Sequence, residues 1–212
     1  ISQLKPDHPV KQYIDKRQIP TNQHWRIYYA PKFMTWVNTI IPNKFENVKK
    51  DEPRLVVPLI DSNGYVFGVS ARAFDPKSLR YITIMFRDVP KIFGLDKVDF
   101  NKKYFVTEGQ FDAMFLSNSV AMIGGDANLS GLKHLDKAIF VHDKEYRNKE
   151  ICDRMEKMLK KGYKVCIWPP TIEGKDINEM HLNGVKDIEK IILANTYEGL
   201  LGQLRLKELR RC

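Results

Sequence analysis

The sequence has few cysteines, and they are scattered. The chain contains three, Cys152, Cys166 and Cys212, and no two of them form a CxxC pair. They therefore supply neither a disulfide framework nor a paired zinc site, and such sparse use of cysteine is typical of a reducing cytosol. We expect a cytoplasmic protein whose chain binds no structural zinc.

Long apolar runs and targeting signals are also missing. No apolar run approaches the roughly 20 residues that a membrane-spanning helix needs, and no signal-peptide pattern opens the chain. The pattern GxxxxGK[ST] does not occur, which excludes the P-loop motor of a helicase. We find no internal repeat. Because a membrane-spanning run is missing, we expect no membrane partner. The first residue is Ile1 and not Met, so we expect a fragment or a processed product.

The composition indicates a globular protein with an excess of positive charge. Of the 212 residues, 43% are hydrophobic and 11% are aromatic, enough for one large domain or two small ones. Lysine and arginine number 35 against 26 acidic residues, a net charge of +9. This excess favours a polyanionic partner, although a lysine-rich solvated surface has the same composition.

The first half of the chain combines short helices with a hairpin. Helical patterns occur at 10–17 and 32–37 within a mainly helical stretch, 1–50. Strand patterns occur at 54–60, 65–71 and 81–85, and Asn63-Gly64 between the first two is a strong hairpin signal. Trp25, Trp36 and Trp168 are interpreted as core aromatics.

From residue 104 onward, strands alternate with helices, which predicts a parallel sheet covered on both faces. The predicted strands are 104–107, 138–141 and 163–168, and the predicted helices are 110–118, 147–161, 177–182 and 185–195. Met114, Met155 and Met158 are interpreted as helix-face packing. We predict an α+β protein in three parts: a basic subdomain at 1–100, an α/β subdomain at 101–183 and a helical segment at 184–212.

Acidic side chains follow three predicted strands, at the edge where functional groups of such sheets gather. Any one of them has a structural explanation, because the helix dipole favours acids near a helix start. Three strand ends in succession are harder to explain in that way. Converged carboxylates repel each other unless cations lie among them, and hard oxygen ligands suit Mg²⁺ or Mn²⁺. The acids are Glu108, Asp112, Asp143, Glu145 and Asp176, and the amide Asn178 follows the same strand end as Asp176.

These motifs resemble the Toprim domain, which bacterial-type primases, type IA and II topoisomerases and some nucleases share. The shared pattern is EG followed by D, then DxE after the next strand, then KDxN after a third. Upstream, RLVVPLIDSNGYVFGVSARAF and KIFG resemble the basic subdomain of primases. The opening DHPVKQYIDKRQIP and the closing EGLLGQLRLKELRR resemble the primases of T-even-like phages. The resemblance to the RNA-polymerase core of these primases therefore spans essentially the whole chain.

The resemblance implies a metal-dependent nucleotidyltransferase that makes short RNA primers on single-stranded DNA during phage replication. It implies metal-coupled roles for Glu108, Asp143 and Glu145, and supporting catalytic roles for Asp112 and Asp176. Two or more Mg²⁺ or Mn²⁺ ions are expected. Glu108 has an alternative role in proton transfer.

Two positions depart from the bacterial pattern. Glu145 and Asn178 stand where bacterial primases usually have Asp. These departures lengthen one carboxylate side chain and remove another, which leaves the number of tightly bound ions open. His142 is interpreted as packing behind the site and not as a metal ligand.

The resemblance also assigns basic residues to a groove for template and nucleotide. Arginine suits bidentate phosphate binding, and tyrosine suits base stacking. The alternatives are a solvated face for the basic residues and a core position for Tyr81. The predicted DNA contacts are Arg54, Arg72, Arg80, Tyr81 and Lys91, and the predicted nucleotide contacts are Lys91, Lys144, Arg147, Lys175 and Asn178.

Expected partners are the DNA template, ribonucleoside triphosphates and a separate replicative helicase. Primases of this family usually carry an N-terminal zinc module, and Ile1 fits a chain that starts just after it, so that zinc-binding domain is a further expected partner. The helical stretch 199–211 either docks the helicase or packs on its own domain. A Toprim nuclease or topoisomerase and a non-catalytic single-stranded DNA-binding module are the alternative functions. The basic subdomain favours a primase, which would act in the cytoplasm of a bacterial host.

Overall fold

The computed structural model describes residues 1, 3–46, 48–124 and 128–212. The chain divides into two units, Ile1–Asp96 and Lys97–Cys212. The three-part division into functional subdomains stays a prediction. Within the described ranges, no helix has the length and apolar character that crossing a bilayer requires.

The first unit is built on a four-stranded antiparallel sheet. Strands β1 (Tyr28–Ala30), β2 (Arg54–Ile60), β3 (Val66–Ala73) and β4 (Tyr81–Met85) lie side by side in sequence order. The unit also contains the short strand β5 (Ile92–Phe93), helices α1 (Pro9–Lys16) and α2 (Phe33–Ile40), and 3₁₀ turns at Thr21–Arg26 and Val48–Lys50.

The predicted hairpin between β2 and β3 is confirmed. The Asp61 carboxylate accepts the N–H groups of Asn63 at 2.9 Å and Tyr65 at 3.0 Å. Gly64 takes a φ of 85°, which glycine adopts without steric cost. One apolar face of this sheet packs on α2, and together they form a hydrophobic cluster: Ala30, Phe33, Val37, Val56, Val69, Ala71 and Ile84.

Two features of the first unit differ from expectation. The stretch 1–50 is predicted to be mainly helical, but Tyr28–Ala30 within it pairs with Arg54–Val56 as an edge strand. A three-residue strand is too short to show an alternating pattern. Trp25 is 53% exposed, and its ring lies 4.3 Å from the Arg26 guanidinium instead of in the core.

The second unit contains the predicted parallel sheet. Its strands are β6 (Tyr104–Thr107), β7 (Ser119–Met122), β8 (Ala138–Val141), β9 (Lys164–Cys166) and β10 (Thr196–Tyr197). Among these five strands the order is β10-β9-β8-β6-β7. The pairings of β6 with β7, β6 with β8 and β8 with β9 are parallel, and that of β10 with β9 is antiparallel. The helices are α3 (Gln110–Ala113), α4 (Lys149–Lys160), α5 (Ile177–Leu182), α6 (Ile188–Ala194) and α7 (Gly199–Leu209), with 3₁₀ turns at Leu129–Gly131 and Leu135–Lys137.

The helix predicted at 110–118 is shorter than expected. It ends at Ala113 because the chain turns into β7, a strand that the sequence analysis missed. The Ser119 hydroxyl donates hydrogen bonds to the carbonyls of Ala113 at 2.7 Å and Leu116 at 3.2 Å, which satisfies acceptors at the helix end.

Apolar side chains fill the space between the sheet and its helices. One cluster joins the strand residues Phe105, Ile139, Val141 and Cys166 to α5 and α6. Because side chains alternate along a strand, Val106 and Phe140 lie on the opposite face of the sheet. Helix α4 buries five apolar side chains: Ile151, Cys152, Met155, Met158 and Leu159. Trp168, Met114, Met155 and Met158 are buried, which confirms their predicted packing roles.

Helix α7 packs on its own unit through Gly202. A Cβ atom at that position would overlap the Leu159 side chain of α4, so glycine allows the two helices to approach closely. Leu206 and Leu209 are buried, whereas Leu200, Leu201 and Leu204 are exposed. Helicase docking by this helix stays a prediction.

Candidate active site at the carboxyl edge of the parallel sheet

The carboxyl ends of β6, β8 and β9 lie next to each other. Thr107 pairs with Val141, and Val141 pairs with Cys166. The segments that follow these strands therefore start at one edge of the sheet. These segments carry all five predicted catalytic acids: Glu108, Asp112, Asp143, Glu145 and Asp176.

Asp143 lies at the electrostatic centre of these acids. Burial and the negative charges of Asp112, Glu108, Asp176 and Glu145, in that order, raise the pKa of its carboxyl from 3.8 to about 8. The negative charges of four predicted acids thus raise the pKa of the fifth. The structure brings together side chains that lie up to 68 positions apart in the sequence, from Glu108 to Asp176.

Glu108 is held by two side chains from other elements. Its Oε1 lies 2.6 Å from His142 Nδ1 and accepts a hydrogen bond from Arg154 Nη1 at 3.2 Å. Burial raises the pKa of Glu108, but the bond to His142 and the charges of His142 and Arg154 outweigh it, so the net shift is downward. Glu108 is therefore fixed in place as a carboxylate.

The sequence analysis placed His142 behind the site and missed Arg154. His142 is buried, and its carbonyl accepts a hydrogen bond from Trp168 Nε1 at 2.9 Å, which fixes the backbone beside Asp143. Arg154 also pairs with Glu150 at 2.9 Å. That i,i+4 pair on α4 was the visible signal in the sequence, and by itself it indicates only a helix-surface ion pair.

Asp112 and Asp176 organise the start of α5. The Asp112 carboxylate accepts the N–H of Asn178 at 3.1 Å, and Asp176 caps the helix by accepting the N–H of Glu179 at 2.7 Å. A Cβ at Gly109 would lie 3.0 Å from Asp112 Oδ2, so glycine suits the close turn after Glu108. The Asp112–Asn178 bond joins the segment after β6 to the segment after β9.

Of the predicted nucleotide contacts, Lys144 and Arg147 flank Glu145. The Lys144 ammonium donates to the carbonyls of Pro170, at 3.1 Å, and Ile172, which ties two loops together. Arg147 is exposed, and Glu145 accepts a hydrogen bond from Asn148 Nδ2 at 3.0 Å.

The other two predicted nucleotide contacts in this unit lie after β9. The Lys175 ammonium is 3.6 Å from Glu179, and the Asn178 side chain is buried. Nucleotide contact by Lys175 and Asn178 stays a prediction.

The acids are convergent but do not stand as a preformed metal cage. Among the residues that the structure describes, no three His, Cys, Asp or Glu side chains form a group ready to hold an ion. Protein donors already form hydrogen bonds with four of the acids, Glu108, Asp112, Glu145 and Asp176. The donor set nevertheless fits a hard divalent ion, since it consists of carboxylate oxygens whose repulsion around Asp143 a cation would relieve.

The predicted DNA contacts of the first unit fall into two groups. Arg54 is 1% exposed, pairs with Glu52, and donates to the Ala71 carbonyl at 3.4 Å, which suits a structural role. Arg72 donates to the Tyr81 hydroxyl at 3.0 Å, and Arg80 lies 5.7 Å from the same ring. Tyr81 is 38% exposed and so does not occupy the core.

Lys91 is exposed. We call Lys91, Arg72, Arg80 and Tyr81 the basic surface residues. These four residues are the predicted DNA contacts that the structure leaves at least partly accessible.

Comparison with known proteins gives a consistent result. No protein-family model matches the chain. A DNA primase of Enterobacteria phage T4 is 29% identical over 214 residues, which cover 98% of this chain and 62% of the phage protein. A DnaG primase catalytic domain bound to single-stranded DNA superimposes with a TM-score of 0.62 at 16% identity, over 96% of this chain and 85% of that one. The chain has the fold of a primase catalytic core.

A second solved primase extends this comparison. The zinc-binding and RNA polymerase domains of the Aquifex aeolicus primase superimpose with a TM-score of 0.61 at 20% identity, over 90% of this chain and 57% of that one. The chain thus spans less than two thirds of the phage protein and of the Aquifex chain. The predicted α+β fold and the resemblance to phage primases are confirmed.

Proposed function

We propose that this primase core is a DNA-dependent RNA polymerase that joins ribonucleotides into short primers on single-stranded DNA. The observation that carries the proposal is the group of five acids around Asp143, at the sheet edge where functional groups gather. The similarity to the phage T4 primase supports it.

The acids divide the work of phosphoryl transfer, which needs alignment and charge neutralisation more than covalent help. Glu108, Asp143 and Glu145 would hold Mg²⁺ or Mn²⁺, with two or more ions in the site. When bound, these ions would acidify the primer 3′-hydroxyl and neutralise the triphosphate. Asp112 holds the start of α5 against the segment that follows β6, and Asp176 caps that helix. His142 and Arg154 orient Glu108.

The first unit would supply contacts to the template. Among the basic surface residues, Arg72 and Arg80 offer guanidinium groups for phosphates, and the exposed ring of Tyr81 offers a stacking face. Arg54 is left out of this role because it is buried beside Glu52.

The reaction also implies partners outside this chain. The related Aquifex structure includes a zinc-binding domain, and a zinc-binding domain of the same full-length protein is a proposed partner here. A replicative helicase is a second proposed partner. Primer synthesis during phage replication would take place in the cytoplasm of the bacterial host.

Incubation with labelled ribonucleoside triphosphates and single-stranded DNA tests the proposal. We expect weak, template-dependent RNA synthesis with Mg²⁺ or Mn²⁺, little preference for a start sequence, and no product in EDTA. Cleaved template without RNA would indicate a nuclease or topoisomerase instead. If the chain binds the DNA but neither synthesises RNA nor cleaves the template, with or without metal, it is a non-catalytic binding module.

A further inference from the structure

Helix α1 places two side chains beside the basic surface residues. Tyr13 lies in this helix, and Arg17 caps its carboxyl end. The centre of the Tyr13 ring lies 5.2 Å from the Arg17 guanidinium and 4.7 Å from the guanidinium of Arg72, on β3. The sequence analysis assigned no role to Tyr13 or Arg17. Tyr13 thus joins α1 to one of the proposed template contacts.

The contacts continue from Arg72 to the start of β4. The Arg72 guanidinium lies 5.5 Å from the centre of the Tyr81 ring and donates a hydrogen bond to its hydroxyl at 3.0 Å. Arg80 lies 5.7 Å from the same ring. Arginine and tyrosine therefore alternate through five side chains, which we call the arginine–tyrosine series: Arg17, Tyr13, Arg72, Tyr81 and Arg80.

Aromatic rings, and not carboxylates, hold Arg72 in this series. Among the residues that the structure describes, neither Arg72 nor Arg80 forms an ion pair with an acidic side chain, and Arg72 Nε is buried without a hydrogen-bond partner. Burial raises the pKa of Tyr13 above its ordinary value of 10.0, although the charges of Arg17 and Arg72 act in the opposite direction. Tyr13 is therefore neutral at physiological pH and does not offset the charge of either arginine.

Each member alone has a structural explanation. The helix dipole favours a basic residue at the end of α1, which accounts for Arg17, and the Tyr13 ring also packs against Phe74 at 6.0 Å. Neither explanation accounts for three guanidinium groups gathered around two tyrosine rings. Like charges this close repel each other, and a bound anion relieves that repulsion. Because Arg17 and Arg72 are half-buried and Arg80 is exposed, an anion can reach the series.

We propose that Tyr13 is a positioning residue for template binding, whose ring holds Arg72 and Arg17 where both guanidinium groups bind phosphates of single-stranded DNA. Cations interleaved with aromatic rings are typical of surfaces that bind single strands. A ring that holds an arginine before the ligand arrives lowers the entropy cost of ordering that side chain on binding. The proposal rests on the proposed template contact of Arg72, and adds a residue that acts through it and a further cation, Arg17.

Fluorescence anisotropy of a labelled oligothymidylate, titrated with the whole chain at several salt concentrations, tests the positioning role. Tyr13→Leu should weaken binding on the order of fivefold, the effect of losing one partly buried cation–π contact. Tyr13→Phe keeps the ring and should stay within about twofold of wild type. Tyr65→Leu is the matched control, because the Tyr65 ring lies 6.0 Å from Arg87, whose charge Asp61 already pairs at 3.2 Å. This control should bind the DNA as wild type does.

A double-mutant cycle separates positioning from a purely structural role. Arg72→Ala should cost affinity in the wild-type background and much less in the Tyr13→Leu background, because the two residues act through one contact. Arg17→Ala should reduce the slope of log K against log salt by about 0.7, the value for one phosphate contact to a single strand. This variant decides the matter if Tyr13→Leu does not fold.

Several results would overturn the proposal. Wild-type affinity in Tyr13→Leu, full additivity with Arg72→Ala, or an equal loss in Tyr65→Leu removes the positioning role. An equal loss in Tyr13→Phe assigns the effect to the hydroxyl and removes the role of the ring. An unchanged salt slope in Arg17→Ala removes the second phosphate contact.

The outcome for Tyr13 is separable from that for the proposed function. DNA binding that depends on Tyr13, Arg17 and Arg72, without any nucleotide incorporation, contradicts the primase proposal and leaves the positioning role standing. RNA synthesis by a wild-type chain whose Tyr13→Leu and Arg17→Ala variants bind DNA normally overturns the positioning role alone. If Arg72→Ala binds DNA as wild type does, the template contact of Arg72 and the role of Tyr13 both fail.

Discussion

The two units differ in whether their buried charges are paired with charges of opposite sign. In the first unit, Arg26 makes two hydrogen bonds of 2.9 and 2.6 Å with Asp96, and Arg54 pairs with Glu52. In the second unit, Asp143 is surrounded by groups of its own sign. Uncompensated like charges destabilise a fold, so their persistence at one sheet edge indicates function. Uncompensated charge is therefore a better guide to the site than the overall basic composition.

The largest expected effect is on catalysis in the second unit. Glu108→Gln keeps the size of the side chain but removes the charge that His142 and Arg154 hold in place. We expect nucleotide incorporation to fall by about a hundredfold or more, as for loss of a catalytic acid–base group, with single-stranded DNA binding unchanged.

Glu150→Gln is the matched control for this variant, because Glu150 is the other carboxylate that pairs with Arg154. It lies outside the acid group around Asp143 and should retain nearly full activity. Incorporation by Glu108→Gln within a few-fold of wild type would remove Glu108 from the site.

The next effect concerns stability in the first unit. Arg54→Ala would leave Glu52 without its ion-pair partner and open a cavity beside Phe33, whose ring lies 5.6 Å from the guanidinium. We expect the free energy of unfolding to fall by about 3 kcal/mol in urea denaturation. Arg80→Ala, at an exposed position, should change it by less than about 0.5 kcal/mol.

This pair of variants also separates structure from DNA contact. If Arg54→Ala is as stable as wild type but binds single-stranded DNA less tightly, Arg54 belongs to the template surface and the contrast between the units fails.

Much of the fold could be predicted because local patterns agreed with tertiary packing. The apolar run at 54–60 and Asn63-Gly64 fixed a hairpin, and AIFV at 138–141 had the continuous apolar character of a buried parallel strand. The five acids could be predicted as a group because the ends of parallel strands meet at one edge. Their positions after Thr107, Val141 and Cys166 required no knowledge of side-chain contacts.

The missed features depend on contacts between distant residues. β1 exists because β2 offers an edge to Tyr28–Ala30, and α3 stops at Ala113 because the chain enters β7. The sequence predicts a DNA contact at Arg54, since nothing in the sequence shows that Glu52 will pair with this arginine in the folded unit. Arg154 lies 46 residues from Glu108, and helix periodicity cannot reveal that pairing.

The smallest expected effect is on the salt dependence of DNA binding by the first unit. Arg72→Ala and Lys91→Ala each remove a basic surface residue. Each should reduce the slope of log K against log salt by about 0.7, the value for one phosphate contact to a single strand. Lys161→Ala, at an exposed lysine beyond α4, should leave the slope unchanged. Unchanged slopes in both test variants would show that these residues do not contact the template.

The melting temperature of Asp143→Asn against pH, without divalent metal, tests the central claim most directly. The folded pKa of Asp143, about 8, lies above its ordinary value of 3.8, so the folded chain holds this proton more tightly than the unfolded chain does. The ionised carboxylate therefore destabilises the fold increasingly from about pH 4 to about pH 8, and asparagine removes that destabilisation.

The account predicts nearly equal melting temperatures at about pH 4, and a variant that melts a few degrees higher than wild type at about pH 8.5. Mg²⁺ or Mn²⁺ should raise the melting temperature of the wild type more than that of Asp143→Asn. Asp88→Asn, which alters an exposed carboxylate of the first unit, should follow wild type throughout. A variant that melts at or below the wild-type temperature at about pH 8.5, and responds to metal as wild type does, would contradict the account.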